Sequence, residues 1–164
     1  MQPTQPGPPT TERLDALVAE IATAYADIKA AAEALVVRSE WTNGPRYALE
    51  PASFEINKIR RGQRLAQRPS NPARSRQYGF DAQGRIVVER QPVQLGDQWL
   101  AYETFFRHEA DGVARFSFGY APKKPWLACA WLHLGPFGVD LVQTATPDGR
   151  RLLDLYRYGE NDRV

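Results

Sequence analysis

At 164 residues, 43% apolar and 24% charged, the chain is long enough to bury a core and ordinary enough in composition to read as one soluble globular domain. A single cysteine, Cys129, excludes an intramolecular disulfide and a multi-cysteine zinc site, and no apolar run approaches the roughly 20 residues a membrane helix needs. The net charge of +2 conceals a local imbalance: residues 51–76 hold seven basic side chains against one acid, while residues 1–50 hold four against seven and residues 77–164 ten against eleven.

Residues 1–10 carry Pro3, Pro6, Pro8 and Pro9 and predict a disordered, polyproline-like leader. They lack the basic and apolar regions of a secretory signal, so a cytoplasmic protein is expected. From Thr11 to Arg38, Leu14, Leu17, Ile21, Ala24, Ile28, Ala31 and Leu35 recur every three or four residues. That spacing predicts one long amphipathic helix of roughly 40 Å, with Thr10 or Thr11 as its cap and Glu12 and Asp15 at its positive end. A coiled-coil arm is the rival for that stripe, but its alanines make a thin seam.

"TNGP" at 42–45 marks a turn, and "RYALE" and "SFEINKI" after it have short-strand character. Residues 60–76, "RRGQRLAQRPSNPARSR", are polar, proline-broken and basic, and predict a long exposed loop. From Tyr78 onward, "DAQG" (81–84), "EADG" (109–112) and "TPDG" (146–149) are glycine-ended turns. They separate strand-like runs at roughly 85–91, 98–108, 113–120, 126–134, 138–145 and 151–158. Short turns join antiparallel neighbours, so the expected fold is α+β: the long helix packed on a β-meander of about six strands over residues 78–164. "WLACAWLHL" (126–134) is apolar on both faces, as a central strand is, with helix as its competitor.

The phrase "YGFDAQGR" at 78–85 returns, loosened, as "YRYGENDR" at 156–163. Each copy reads as a strand end, a turn and the start of a return strand, with Tyr78 matching Tyr156 and Phe80 matching Tyr158. The phrase resembles the tyrosine–aspartate repeat of Rhs-type bacterial toxin proteins, whose unit runs Tyr-x-Tyr-Asp-x-x-Gly-Arg. The resemblance covers about 17 residues, and the second copy lacks the Asp and the Gly. It implies hairpins, and a likeness to immunity proteins encoded beside polymorphic toxins.

No catalytic signature emerges. Cys129 and His133 are four apart, which on a strand separates their Cα atoms by about 13 Å, and a thiol set among Trp, Leu and Ala reads as buried and inert. His108 and His133 form no metal-binding spacing. A carboxylate pair such as Glu103 with Asp140 has no registry to support it, and "GPFG" at 135–138 lacks the rest of a phosphate loop. No metal or cofactor is called for.

The most specific polar feature is the set Lys58, Arg60, Arg61, Arg64, Arg68, Arg74 and Arg76, seven cations within nineteen residues. Arginine forks suit acidic protein surfaces as well as phosphates, and the absence of interleaved aromatics weakens single-strand stacking. Trp99 and Tyr102 lie on a run whose side chains alternate between faces, and one wet aromatic face would make an interaction patch. The reading that follows is a protein-binding module without catalysis, concretely an immunity-like protein that covers a toxin domain with an acidic or active-site surface. Binding would use the arginines just named or Trp99 and Tyr102. A nucleic-acid binder using residues 58–76 and a small-ligand binder or enzyme with a pocket on the sheet near Cys129, Trp131 and His133 are the alternatives.

Overall fold

A computed structural model of the chain describes residues 11–119 and 126–158, with the Trp126 side chain left out. The proline-rich leader and the end of the second aromatic phrase lie outside the described residues. The described residues form three helices: α1 (Glu12–Ile21), α2 (Tyr25–Ala34) and a single turn, α3 (Ser53–Ile56). The strands are β1 (Arg38–Thr42), β2 (Arg64–Leu65), β3 (Arg76–Phe80), β4 (Ile86–Leu95), β5 (Gln98–His108), β6 (Gly112–Gly119), β7 (Trp126–Gly135), β8 (Gly138–Ala145) and β9 (Arg151–Leu155). All belong to one antiparallel sheet in the order β2-β1-β3-β4-β5-β6-β7-β8-β9.

This architecture corrects the expected fold class. The molecule is mostly antiparallel sheet, nine strands in one meander, with only short helices. The long helix does not exist. It breaks at Ala22–Ala24, where the Thr23 and Ala24 amides both donate to the Glu20 carbonyl and Ala24 leaves helical geometry at φ −112°, ψ 25°. No glycine or proline marks the break, and the buried stripe of Leu14, Leu17, Ile21, Ile28 and Ala32 keeps helical spacing through it. The bend lets one apolar stripe serve two parts of a twisted sheet: α1 packs on β7 and β8, α2 on β4 and β5.

The chain then leaves helical geometry before Arg38, where the Val37 amide donates to the Phe80 carbonyl and β1 pairs with β3. Five residues of strand are too few to show a period against the helical stripe that precedes them. Residues 46–50 are not a strand, and residues 53–56 form α3 rather than one. Most of 60–76 is irregular, interrupted by β2 pairing with β1. The Trp126–Gly135 run is a strand, paired on both sides.

The sheet carries a hydrophobic core on each face. On one, α1 and α2 cover Val88, Phe105, Phe116, Phe118, Cys129 and Trp131. On the other, Tyr47, Leu49 and Tyr156 pack on Tyr78, Phe80, Phe106, Val113, Leu132 and Val142. Gly79 belongs to the helix-bearing face because Val36 sits on it: a Cβ there would lie 2.8 Å from a Val36 methyl.

The first aromatic phrase is the β3–β4 hairpin. Asp81 and Arg85 close its turn through Asp81 N–H to Arg85 O and Arg85 Nε to Asp81 Oδ2, with Gly84 at φ +77°. The same construction recurs at Thr146–Arg150, where Thr146 N–H donates to Arg150 O, Arg150 Nε pairs with Asp148 and Gly149 stands at φ +84°. Tyr156 and Tyr158 do another job. They fold back on β8, the Tyr156 amide donating to the Asp140 carbonyl and the Tyr158 hydroxyl to the Val139 carbonyl.

Candidate functional site, a cleft on the helix-bearing face

Strand register sets one row of side chains across this face. Trp41 stands opposite Gln77, Gln77 opposite Arg90, Arg90 opposite Glu103, Glu103 opposite Phe118 and Phe118 opposite Leu127. The six residues come from six strands, and all six line one open cleft of about 850 Å³. The corner between α1 and α2 supplies one wall with Ile21, Ala22, Tyr25 and Lys29. Trp99 and Ala101 of β5, Pro92 of β4 and Arg68 from the β2–β3 connection supply the rest. Ile21 and Tyr25 stand on either side of the helix break, so the corner it makes borders the site.

Pro92 is tolerated inside β4 because β3 pairs with that strand only as far as Arg90. Beyond it, the missing N–H deprives no neighbour of a bond. The free stretch of the β4–β5 hairpin carries Trp99, exposed at 39%.

Glu103 is the polar centre. It is buried, and it accepts hydrogen bonds from Lys29 Nζ at 2.8 Å, Arg90 Nε at 2.9 Å and the Tyr25 hydroxyl. Arg90 also pairs through Nη2 with Glu33. Burial opposes the Glu103 charge, but the bonds from Lys29, Tyr25 and Arg90 outweigh it and hold the carboxyl below the ordinary range. Burial and the neighbouring carboxylate push the Tyr25 hydroxyl up, so it stays protonated and donates. For Lys29, burial works against the ammonium, but the bond to Glu103 prevails and raises it. Tyr25 also packs edge-on against Phe118 at 4.8 Å.

Arg68 differs from Lys29 and Arg90. It is exposed, lies 5.6 Å over the Trp41 ring, and makes no ion pair with a carboxylate among the described residues. The cleft thus runs from a cation on an aromatic ring, through a neutralised cation–carboxylate network, to the apolar end formed by Phe118, Leu127 and Ile21.

Of the nine residues singled out in the sequence, Arg68 and Trp99 reach this cleft. Tyr102 lies on the face of β5 opposite Glu103 and outside the cleft, exposed at 41% and paired across from Gln91. Arg61 stacks on Phe54 at 4.7 Å beside a smaller cavity of about 370 Å³. Arg64 lies 3.7 Å from the buried Glu40, and Arg76 pairs with Glu89 at 3.1 Å. Lys58, Arg60 and Arg74 are exposed. The basic stretch is therefore dispersed: three of its arginines serve internal contacts and one faces the cleft.

Sequence reasoning missed Tyr25, Lys29, Trp41 and Arg90, and it named Glu103 only beside Asp140. The structure separates those two acids, giving Asp140 to His133 Nδ1 at 2.6 Å on the β7–β8 hairpin. One signal was available. A two-residue turn at Gly96–Asp97 sets Leu95 opposite Gln98, and counting outward brings Arg90 opposite Glu103.

The pocket imagined around Cys129, Trp131 and His133 is not where the cleft lies. Cys129 is in the helix-covered core, where burial pushes its thiol up to about 11. His108 is tied through Nε2 to the Ile86 carbonyl at 2.8 Å. Comparison with protein-family models, with curated proteins and with solved structures finds no match for the chain.

Proposed function

We propose that the chain is a protein-binding module without catalysis and that its working surface is the cleft above the Trp41–Leu127 row. The supporting observation is that row, which lays aromatic, cationic and apolar side chains side by side on an open floor. Trp, Tyr and Arg are the residues that carry most binding energy when a partner desolvates them. Here Trp41, Trp99, Tyr25, Arg68 and Arg90 converge on one concavity. The volume falls within the range of ligand sites, but the openness of the groove suits a surface-borne segment rather than an engulfed molecule. That the partner is a toxin domain, as for an immunity-like protein, rests on the "YGFDAQGR" phrase alone.

The test compares partner capture by three versions of the full chain: wild type, Trp41→Ala with Trp99→Ala, and Arg60→Ser with Arg61→Ser and Arg64→Ser. A protein held by wild type in the presence of nuclease and high salt should be lost by the tryptophan pair and kept by the arginine triple. Loss with the arginine triple alone would move the binding surface to the basic stretch.

A further inference from the structure

The cleft has a direction, and that direction specifies its occupant. We infer that it takes an extended segment of another protein that lies across the strands, with a carboxylate at the Arg68–Trp41 end and an apolar side chain at the Phe118–Leu127 end. This rests on the binding-module reading above and narrows it to one chemistry.

Length argues for a polymer segment. The floor crosses six strands, so its five interstrand spacings span about 24 Å, the reach of about seven residues of extended chain. A compact small molecule would leave most of that floor empty. Orientation argues against strand addition. The floor row consists of side chains projecting from paired strands, and the stretch of β4 left unpaired beyond Arg90 is broken by Pro92, which has no N–H to donate, so recognition goes chiefly through side chains.

Charge fixes the polarity. Lys29 and Arg90 are already satisfied by Glu103 and Glu33, so a ligand carboxylate in the middle of the cleft would meet two acids as well as two cations. At the β1 end the exposed Arg68 guanidinium stands over Trp41 with no carboxylate on it among the described residues. Among the described residues that line the cleft it is the cation most open to an incoming acid. At the other end Ile21, Phe118 and Leu127 offer no charge. Four interstrand spacings separate Trp41 from Phe118, the nearer residue of the apolar end, so the acid and the apolar residue should sit about five or six positions apart.

The probe is a random dodecapeptide display library, selected in parallel on the folded wild-type chain, on Arg68→Glu, and on Trp41→Ala with Trp99→Ala. The Arg68 side chain is exposed, so its reversal should leave the fold intact, as far-ultraviolet circular dichroism would verify. Wild type should enrich Asp or Glu at one position with an apolar residue five or six positions away. In Arg68→Glu, recovery of acidic clones should fall about tenfold and Lys or Arg should take the acid's place, while the apolar preference stays. Enrichment of apolar residues without an acidic position, or acidic clones that survive Arg68→Glu, would overturn the inferred occupant and leave the binding module standing. Equal recovery on wild type and on the double tryptophan variant would overturn both.

Discussion

The two faces of the sheet hold carboxylates one residue out of step with each other, and they treat them oppositely. Glu89 of β4 lies opposite Thr104 on the face covered by the β1–α3 segment, where Arg76 is its ion-pair partner at 3.1 Å. Burial there prevails over that pair and pushes the Glu89 carboxyl up. Glu103 of β5 lies opposite Arg90 on the helix-bearing face, where three donors converge on it and hold its carboxyl down. One close ion pair does not offset the loss of water around the half-buried Glu89, whereas three hydrogen bonds do so for the more deeply buried Glu103. The face away from the helices tolerates its acid. The open face is organised around its own, and that organisation fixes Lys29, Arg90 and Tyr25 along the cleft.

The comparison breaks first at the core. Phe105 and Phe106 are neighbours on β5, both buried, one on each face. Replacing either with Ala should lower stability by about 4 kcal/mol in urea denaturation. Only Phe105→Ala should also disturb the cleft, because Phe105 packs against Tyr25 and Phe118. Equal effects of the two on binding would mean that the faces are not functionally distinct.

The acids give the second test. Glu103 ionises below its unfolded value, so its contribution to stability is complete above about pH 4.3 and is lost as the pH falls through the folded value. Glu89 has the opposite sign: its contribution is present below about pH 4.3 and is lost as the pH rises through its raised folded value. Glu103→Gln should therefore cost about 2 kcal/mol at pH 7 and Glu89→Gln distinctly less. Denaturation repeated near pH 3.5 should show the gap between the variants narrowing. Equal costs at pH 7 would contradict the contrast.

A smaller effect is expected from Tyr25→Phe, which removes one of the three donors to Glu103 but keeps the ring on Phe118. It should cost about 1 kcal/mol. The smallest stability change belongs to Trp99→Ala, on the free part of the β4–β5 hairpin. Its thermal midpoint should match wild type, since an exposed side chain away from the core moves stability by about 0.5 kcal/mol or less, while partner capture falls.

Much of the meander was legible because its signals are local. Glycine-ended turns at 81–84, 109–112 and 146–149 punctuate alternating runs, and β5 to β8 lie where those runs predict strands. Elements whose causes are distant were not legible. The helix break at Ala22–Ala24 carries no breaker residue, and it follows from packing on two regions of the sheet. β1 gains its identity from β3, more than thirty residues later in the chain, and β4 continues through Pro92 only because β3 stops short of it. The cleft is the extreme case. Its floor joins positions from Trp41 to Leu127 by register through six strands, and although hairpin partners such as Arg90 and Glu103 or Phe118 and Leu127 lie close in the chain, no local signal marks which positions share the row. Charge density along the chain pointed instead to residues 58–76, where proximity in sequence does not become proximity in a site.

The most direct test of the cleft as the working surface is a titration calorimetry measurement of the captured partner against wild type and against Trp41→Ala with Trp99→Ala. The account predicts that the double variant, measured at a temperature where circular dichroism shows it folded, binds at least about tenfold more weakly. An unchanged Kd for the folded double variant would contradict it.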